Sequence, residues 1–292
     1  MKTWVTAMIA AGSALLLAGA APAGPDRSLD QALIVGSVEY AEGVAAPLIG
    51  AYNDAAITAR TLLDRGIPGS GVTVLTQTPS AALIAARGNP KLRDMPALAT
   101  PIAAPTRAAI MAGFARLARN AKPGSRVVIM LSGHGLQISG RAEADGLDGA
   151  YLPSDTGPAD AANVPRNAIT DDEIAGAVEA IRRKGATVVL LFAFSHSGDV
   201  IDDLRFGARD AAVTGMASTP ATATDRQYLV PHRDYQAPPF AGSPMIAYLM
   251  LELDRWRGMT SIALLSRNIA PWMARHHLPL NIPFGRTDIE AL

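Results

Sequence analysis

The sequence predicts an α/β domain built on a mainly parallel sheet flanked by helices. Two runs carry the prediction, Arg126-Val-Val-Ile-Met-Leu-Ser-Gly-His-Gly135 and Val188-Val-Leu-Leu-Phe-Ala-Phe-Ser-His-Ser-Gly198. Each is apolar and rich in branched side chains, and each stops abruptly in small polar residues and a histidine, the signature of a strand buried on both faces. A third observation is the order of elements, in which short apolar runs alternate with helical periodicity. Chemistry in such sheets gathers at the carboxyl ends of neighbouring strands.

The elements follow in order. Gln31 to Ser37 reads as the first strand, and a loop through Gly43, Pro47 and Gly50 follows it. Tyr52 to Arg65 places apolar residues at helical spacing and stops at Gly66. Gly71 to Leu75 is the second strand. Gly88 to Pro105 carries Pro90, Pro96, Pro101 and Pro105 and reads as a surface insertion. Helical periodicity returns over Thr106 to Asn120, and Pro123-Gly124 ends it before the strand at Val127 to Leu131. Beyond His134 comes an acidic loop, Glu143 to Asp155. Ile169-Thr-Asp-Asp-Glu-Ile opens a helix that ends near Lys184-Gly185, and the strand Thr187 to Phe192 leads to Ser195. Val213 to Ala217 reads as a strand, Pro220 to Pro239 as mostly loop, and Ser243 to Trp256 and Thr260 to Arg275 as helices. There is no internal repeat.

The N-terminus stands apart. Lys2, the apolar core Val5 to Leu17 and the small residues Ala21-Pro22-Ala23 read as a secretory signal peptide over residues 1–23, leaving one domain over 30–292. The alternative, an uncleaved anchor, needs about 20 apolar residues, and this core falls short. The expectation is an exported protein, periplasmic or secreted, with no membrane span once the signal is removed. The 26 basic and 26 acidic residues balance, which argues against a nucleic-acid partner. The absence of cysteine excludes a disulfide.

Taken together, these segments resemble the caspase-like cysteine peptidases, and among them the bacterial metacaspase-type proteins. The resemblance rests on Ser132-Gly-His-Gly135 and Ser195-His-Ser-Gly198, the second of which usually reads Asp-x-Cys-His-Ser-Gly in the family. It extends through Ala32 to Gly36, Asn53-Asp54-Ala55, Asp145-Gly-Leu-Asp148 to Pro153, and Ile169 to Glu173. Beyond Asp203 it is loose, although Asn281 to Gly285 is similar to the family's closing segment. It implies a caspase-like three-layer sandwich and a histidine–cysteine pair that cleaves peptide bonds through an acyl-enzyme, with backbone N–H groups holding the oxyanion. By position, His134 would be the acid/base and Gly135 would supply an oxyanion N–H.

Two departures stand at that site. The nucleophile position is Ser195, and a hydroxyl is far harder to ionise than a thiol whose ordinary pKa is about 8.5. Two residues earlier, Ala193 replaces the aspartate that resembles one wall of the family's pocket for a basic side chain, and bulky Phe194 is placed to fill part of that pocket. The reading is a peptidase homologue with its chemistry lost or severely impaired, acting by binding a peptide, a protein segment or an active relative. The alternative is a hydrolase using a His134–Ser195 dyad.

No cofactor is required by this reading. Asp148, Asp171, Asp172 and Asp202 match positions that bind calcium in some metacaspases, and calcium takes six to eight oxygen ligands. The other reading of the same residues is a capping box at Thr170 to Glu173 and solvated loop carboxylates. His196, His232 and His276-His277 add no metal motif, and Gly133-His-Gly135 lacks the residues of a phosphate loop.

Overall fold

The computed structural model describes residues 27–87, 102–139, 146–161, 164–200, 212–220, 224–225, 228–230, 240–255, 258, 260–275, 282–286 and 292. The expected signal peptide, Asp202, most of the 88–105 insertion, His232 and His276-His277 lie outside them.

Six strands form the central sheet: β1 (Gln31–Gly36), β2 (Val72–Thr76), β3 (Arg126–Ser132), β7 (Thr187–Ala193), β8 (Val213–Ala217) and β11 (Ile282–Gly285). Their spatial order is β11-β8-β7-β3-β1-β2. All pairings are parallel except β11 with β8. Parallel pairing demands crossovers, and the helices supply them. These are α1 (Ile49–Asp64), α2 (Ala81–Arg87), α3 (Arg107–Asn120), α4 (Asp171–Arg182), α5 (Pro244–Arg255) and α6 (Ile262–Arg275).

Strand alternation sorts the core into two layers. Ala32, Ile34, Val128, Met130, Val189 and Leu191 face α1, α5 and α6. Their sequence neighbours Leu33, Val35, Val127, Ile129, Val188 and Leu190 face α3 and α4. This is helix, sheet, helix: the three-layer arrangement and mainly parallel sheet that the sequence predicts. At the lower edge Asp30, 1% exposed, accepts from the Arg126 backbone N–H and Nε at 2.9 Å each, tying the entry to β1 to the start of β3.

Some expectations are revised. The region after His134 is not simply loop: β4 (His134–Ser139) and β5 (Leu147–Leu152) pair antiparallel, and β6 (Ile169–Thr170) joins β5. The insertion's last residues pair rather than wander, since Ala103 runs alongside Leu75. Within the expected 220–239 loop lies β9 (Tyr228–Val230), which pairs with β10 (Phe240–Gly242). The first helix begins at Ile49, before the expected Tyr52, and α2 has no counterpart in the sequence reading. Among the described residues no helix is long and apolar enough to cross a membrane.

Strand order sets the place of the site. From β1 the chain turns outward to β2, then returns to the other side for β3, β7 and β8. The reversal falls at the carboxyl ends of β1 and β3, and it is at such a switch point that open α/β sheets have the crevice that binds ligands.

Candidate functional site

The two signature segments leave adjacent strands in register, Leu131 opposite Phe192 and Ser132 opposite Ala193. The ladder continues one step further, with the Gly133 N–H donating to the Ala193 carbonyl at 3.3 Å. Beyond it the two turns touch. A Cβ on Gly135 would lie 2.2 Å from the Ser195 carbonyl oxygen and 2.5 Å from Phe194 Cδ2. Only glycine lets the backbones approach this closely, so the histidine turn and the serine turn are wedged together. A Cβ on Gly133 would meet the Tyr40 and Tyr151 hydroxyls at 3.0 Å each.

His134 is held from three sides by the loop after β1. Its backbone N–H donates to the Tyr40 hydroxyl at 3.1 Å, and the Tyr40 ring lies 5.2 Å away at 57°. Its Nε2 stands 2.8 Å from the Ala46 carbonyl oxygen. A carbonyl only accepts, so Nε2 carries the proton and Nδ1 keeps the lone pair. Burial pulls the imidazole pKa down, and the Ala46 carbonyl partly offsets it. His134 is therefore a neutral base with a fixed tautomer.

Tyr40 in turn donates to the Ser37 carbonyl at 3.1 Å. The Tyr151 hydroxyl lies 2.8 Å from the Ser132 carbonyl oxygen and 2.9 Å from Ser37 Oγ. Burial raises the pKa of both phenols, so both stay protonated donors.

Ser195 follows β7 and is 9% exposed. Its Oγ accepts a hydrogen bond from the Asp225 backbone N–H at 2.9 Å. His196, with φ 61°, turns the chain through the left-handed region immediately after it. Ser197 then anchors the turn, its Oγ 3.3 Å from both Thr219 Oγ1 and the Thr219 N–H. Ala193 and Phe194 go to opposite faces of the sheet. Ala193 joins the core under α1 and α5. The Phe194 ring packs against Tyr151 at 5.3 Å and Phe192 at 5.7 Å on the α3–α4 side.

A carboxyl that the sequence reading named only as part of a motif sits at this crevice. Asp54, 1% exposed on α1, accepts from Ser132 Oγ at 2.7 Å and from the Ser243 N–H at 3.0 and 3.2 Å. Burial pushes its pKa up to about 8, the nearby Asp225 carboxylate pushes the same way, and the two hydrogen bonds oppose them. Helical spacing could have revealed it, because Asp54, Thr58 and Leu62 share one buried stripe of α1.

Of the acidic positions linked with calcium, Asp148 lies on β5 and Asp171 and Asp172 open α4. Asp171 accepts from the Gly149 N–H at 2.6 Å and from the Asp172 N–H at 2.8 Å, so each of its oxygens serves a backbone donor. Thr170 and Glu173 form the expected capping box of α4. Asp148 is buried, and Asp199, absent from the sequence reading, accepts from Gln137 Nε2 at 3.3 Å beside Gly149. Among the described residues no three acidic or histidine side chains are gathered as a cation cage. Asp202, the fourth of these positions, lies outside the described residues.

Comparison with known proteins now bears on this arrangement. No curated protein matches the chain. A solved structure, protein GSU0716 from Geobacter sulfurreducens, superposes with a TM-score of 0.54 at 16% identity, covering 87% of this chain and 91% of that one. At that identity the likeness establishes a shared fold. A family model described as metacaspase, peptidase C14 domain, matches residues 30–204, the span that holds β1, α1, both signature turns and the capping box between them. On that match, and on the sheet that brings its two signature turns into contact, the chain belongs to the metacaspase, peptidase C14 domain family.

Proposed function

We propose that this chain is an exported metacaspase homologue that has lost, or nearly lost, acyl transfer and works by binding. Its ligand is a peptide or protein segment, or an active caspase-like relative, taken at the crevice between the ends of β1, β3 and β7. The carrying observation is the serine itself: Ser195 Oγ accepts the Asp225 N–H, and the adjoining turn carries a neutral imidazole held by Ala46. A thiol beside an imidazole ionises readily, whereas a hydroxyl depends on a base oriented by a strong third group. A carbonyl fixes the tautomer of His134 but adds no negative charge to stabilise an imidazolium. Each unit of lost nucleophile acidity weighs about 1.4 kcal/mol, and the gap between thiol and hydroxyl spans several units.

His134 and Ser195 do stand on adjoining turns, which is the observation that favours the second reading, a serine hydrolase. The experiment separates the two. Purified protein lacking residues 1–23 is incubated with a mixed peptide library, with and without calcium, and products are read by mass spectrometry. No cleavage above a buffer control is expected. Turnover that disappears in both Ser195→Ala and His134→Ala would overturn the binding reading. Replacing Ser195→Cys together with Ala193→Asp is expected to recover cleavage after Arg or Lys. Export is checked separately, by fusing residues 1–23 to a reporter that is active only outside the cytoplasm.

A further inference from the structure

We propose that Ser195 is the keeper of a latch: its hydroxyl oxygen holds the Thr224–Asp225 strand of chain down over the carboxyl end of β7, closing the crevice until a ligand displaces it. The proposal rests on the crevice being the binding site. It adds what guards that site, and why an oxygen serves at position 195.

Asp225 is fastened at two points. Its backbone N–H donates to Ser195 Oγ at 2.9 Å, and its carboxylate accepts from Ser218 Oγ. Ser218 is itself continuous with the sheet, its N–H donating to the Phe192 carbonyl at 2.9 Å. The two anchors therefore sit on the ends of adjacent strands, β7 and β8, and Asp225 bridges them. Its carboxylate also acts electrostatically on Asp54, which places the residue toward α1 and the floor of the crevice. A ligand group that bonds to Ser195 Oγ competes with this bridge.

The chemistry explains the element at position 195. Sulfur is a weak hydrogen-bond acceptor, while a hydroxyl oxygen has two lone pairs and accepts an amide N–H well. The lone pair that would attack a carbonyl carbon is the kind of acceptor that the Asp225 N–H engages. An oxygen whose electron density is drawn toward an N–H is a poorer nucleophile, so the contact that closes the crevice also blunts Ser195. The residue's near-complete burial agrees with a covered position.

Amide hydrogen exchange on the ligand-free protein tests the latch. The Asp225 amide is expected to exchange slowly in the wild type and about tenfold faster in Ser195→Ala, the change that about 1.4 kcal/mol carries. Amides of β3 and β7 should be unchanged and report that the variant is folded. Ser218→Ala should speed the same amide through the other anchor. An Asp225 amide that exchanges equally in wild type and Ser195→Ala would overturn the proposal. Gating has its own measurement, because the chain has no cysteine and Ser132→Cys introduces a single thiol at the end of β3 while leaving the Ser195–Asp225 contact in place. A small maleimide should label Ser132→Cys faster when Ser195→Ala is added, and equal labelling rates would refute closure of the crevice. Neither measurement uses peptide, so failure of the latch is distinct from failure of the binding reading, which the cleavage assay reports.

Discussion

At position 195 one atom decides what the neighbouring imidazole can do. A neutral His134 with its lone pair on Nδ1 could take a proton, but a hydroxyl gives one up too reluctantly at neutral pH, and here its oxygen is already an acceptor. The closeness of the two turns has a testable cost. Gly135→Ala would drive a Cβ into the Ser195 carbonyl oxygen, a backbone atom that cannot swing aside. Overpacking of this kind costs about 1–3 kcal/mol. A thermal melt followed by circular dichroism is expected to show a fall of several degrees. An unshifted melting temperature would mean that the turns are not in contact. The opposite sign is expected at Gly176, inside α4, where a Cβ meets nothing within 4 Å. Gly176→Ala should stabilise by about 0.5–1 kcal/mol, because it removes backbone freedom from the unfolded chain.

At the scale of elements, the crevice depends on helices and strands that start in the right place. The Thr170 side chain caps α4 while Glu173 reaches back to the Thr170 N–H and also pairs with Arg107 on α3. One short motif thus starts a helix and ties two helices of the same layer. Thr170→Ala is expected to cost about 1 kcal/mol in urea unfolding, with the slope of the transition unchanged. The Asp30–Arg126 pair matters more. Asp30 receives the Arg126 backbone N–H and Nε, and its Oδ2 lies 2.7 Å from the guanidinium NH2. Removing one partner of a buried pair costs about 3–5 kcal/mol, so Asp30→Ala should lower the urea midpoint far more than Thr170→Ala does. Comparable losses in the two variants would refute this ranking.

Across the whole molecule, Asp54 couples three elements: it sits on α1, receives Ser132 from the end of β3, and receives the Ser243 N–H at the start of α5. Burial raises its pKa from the ordinary 3.8 to about 8. A raised pKa means that the folded state holds a proton the unfolded state has released. The stabilisation it contributes is fully present below about pH 4 and is lost as pH rises through about 8, at up to about 1.4 kcal/mol per unit. His134 acts in the reverse direction, since its pKa is lowered from 6.5, and its effect is confined to acid. Unfolding free energy measured from pH 7 to pH 9 should therefore fall in the wild type. It should stay flatter in Asp54→Asn, whose amide oxygen can accept the Ser243 N–H and whose NH2 can donate to Ser132 Oγ. Parallel pH profiles for the two proteins would contradict this assignment.

Where burial on both faces dictated composition, the chain could be read unaided. β3 and β7 announce themselves because a strand covered by helices on both sides must be apolar throughout, and the polar residues that end each one mark where the sheet meets the crevice. The capping box is equally legible, since both halves of it lie within four residues. The β4–β5–β6 sheet was not, because Asp148 and Gly149 look like a solvated loop until Asp171 is seen to take the Gly149 N–H from across the fold. Asp54 was visible as a motif but not as a buried acid. Asp225 carried no signal at all: it lies 30 residues beyond Ser195, and only the return of the chain over β7 and β8 joins them. Local patterning thus determined the parallel strands of the central sheet, the family and the missing thiol. Tertiary structure alone decided which groups meet at the crevice, because contacts between distant segments depend on how helices and strands pack and leave no period in the sequence.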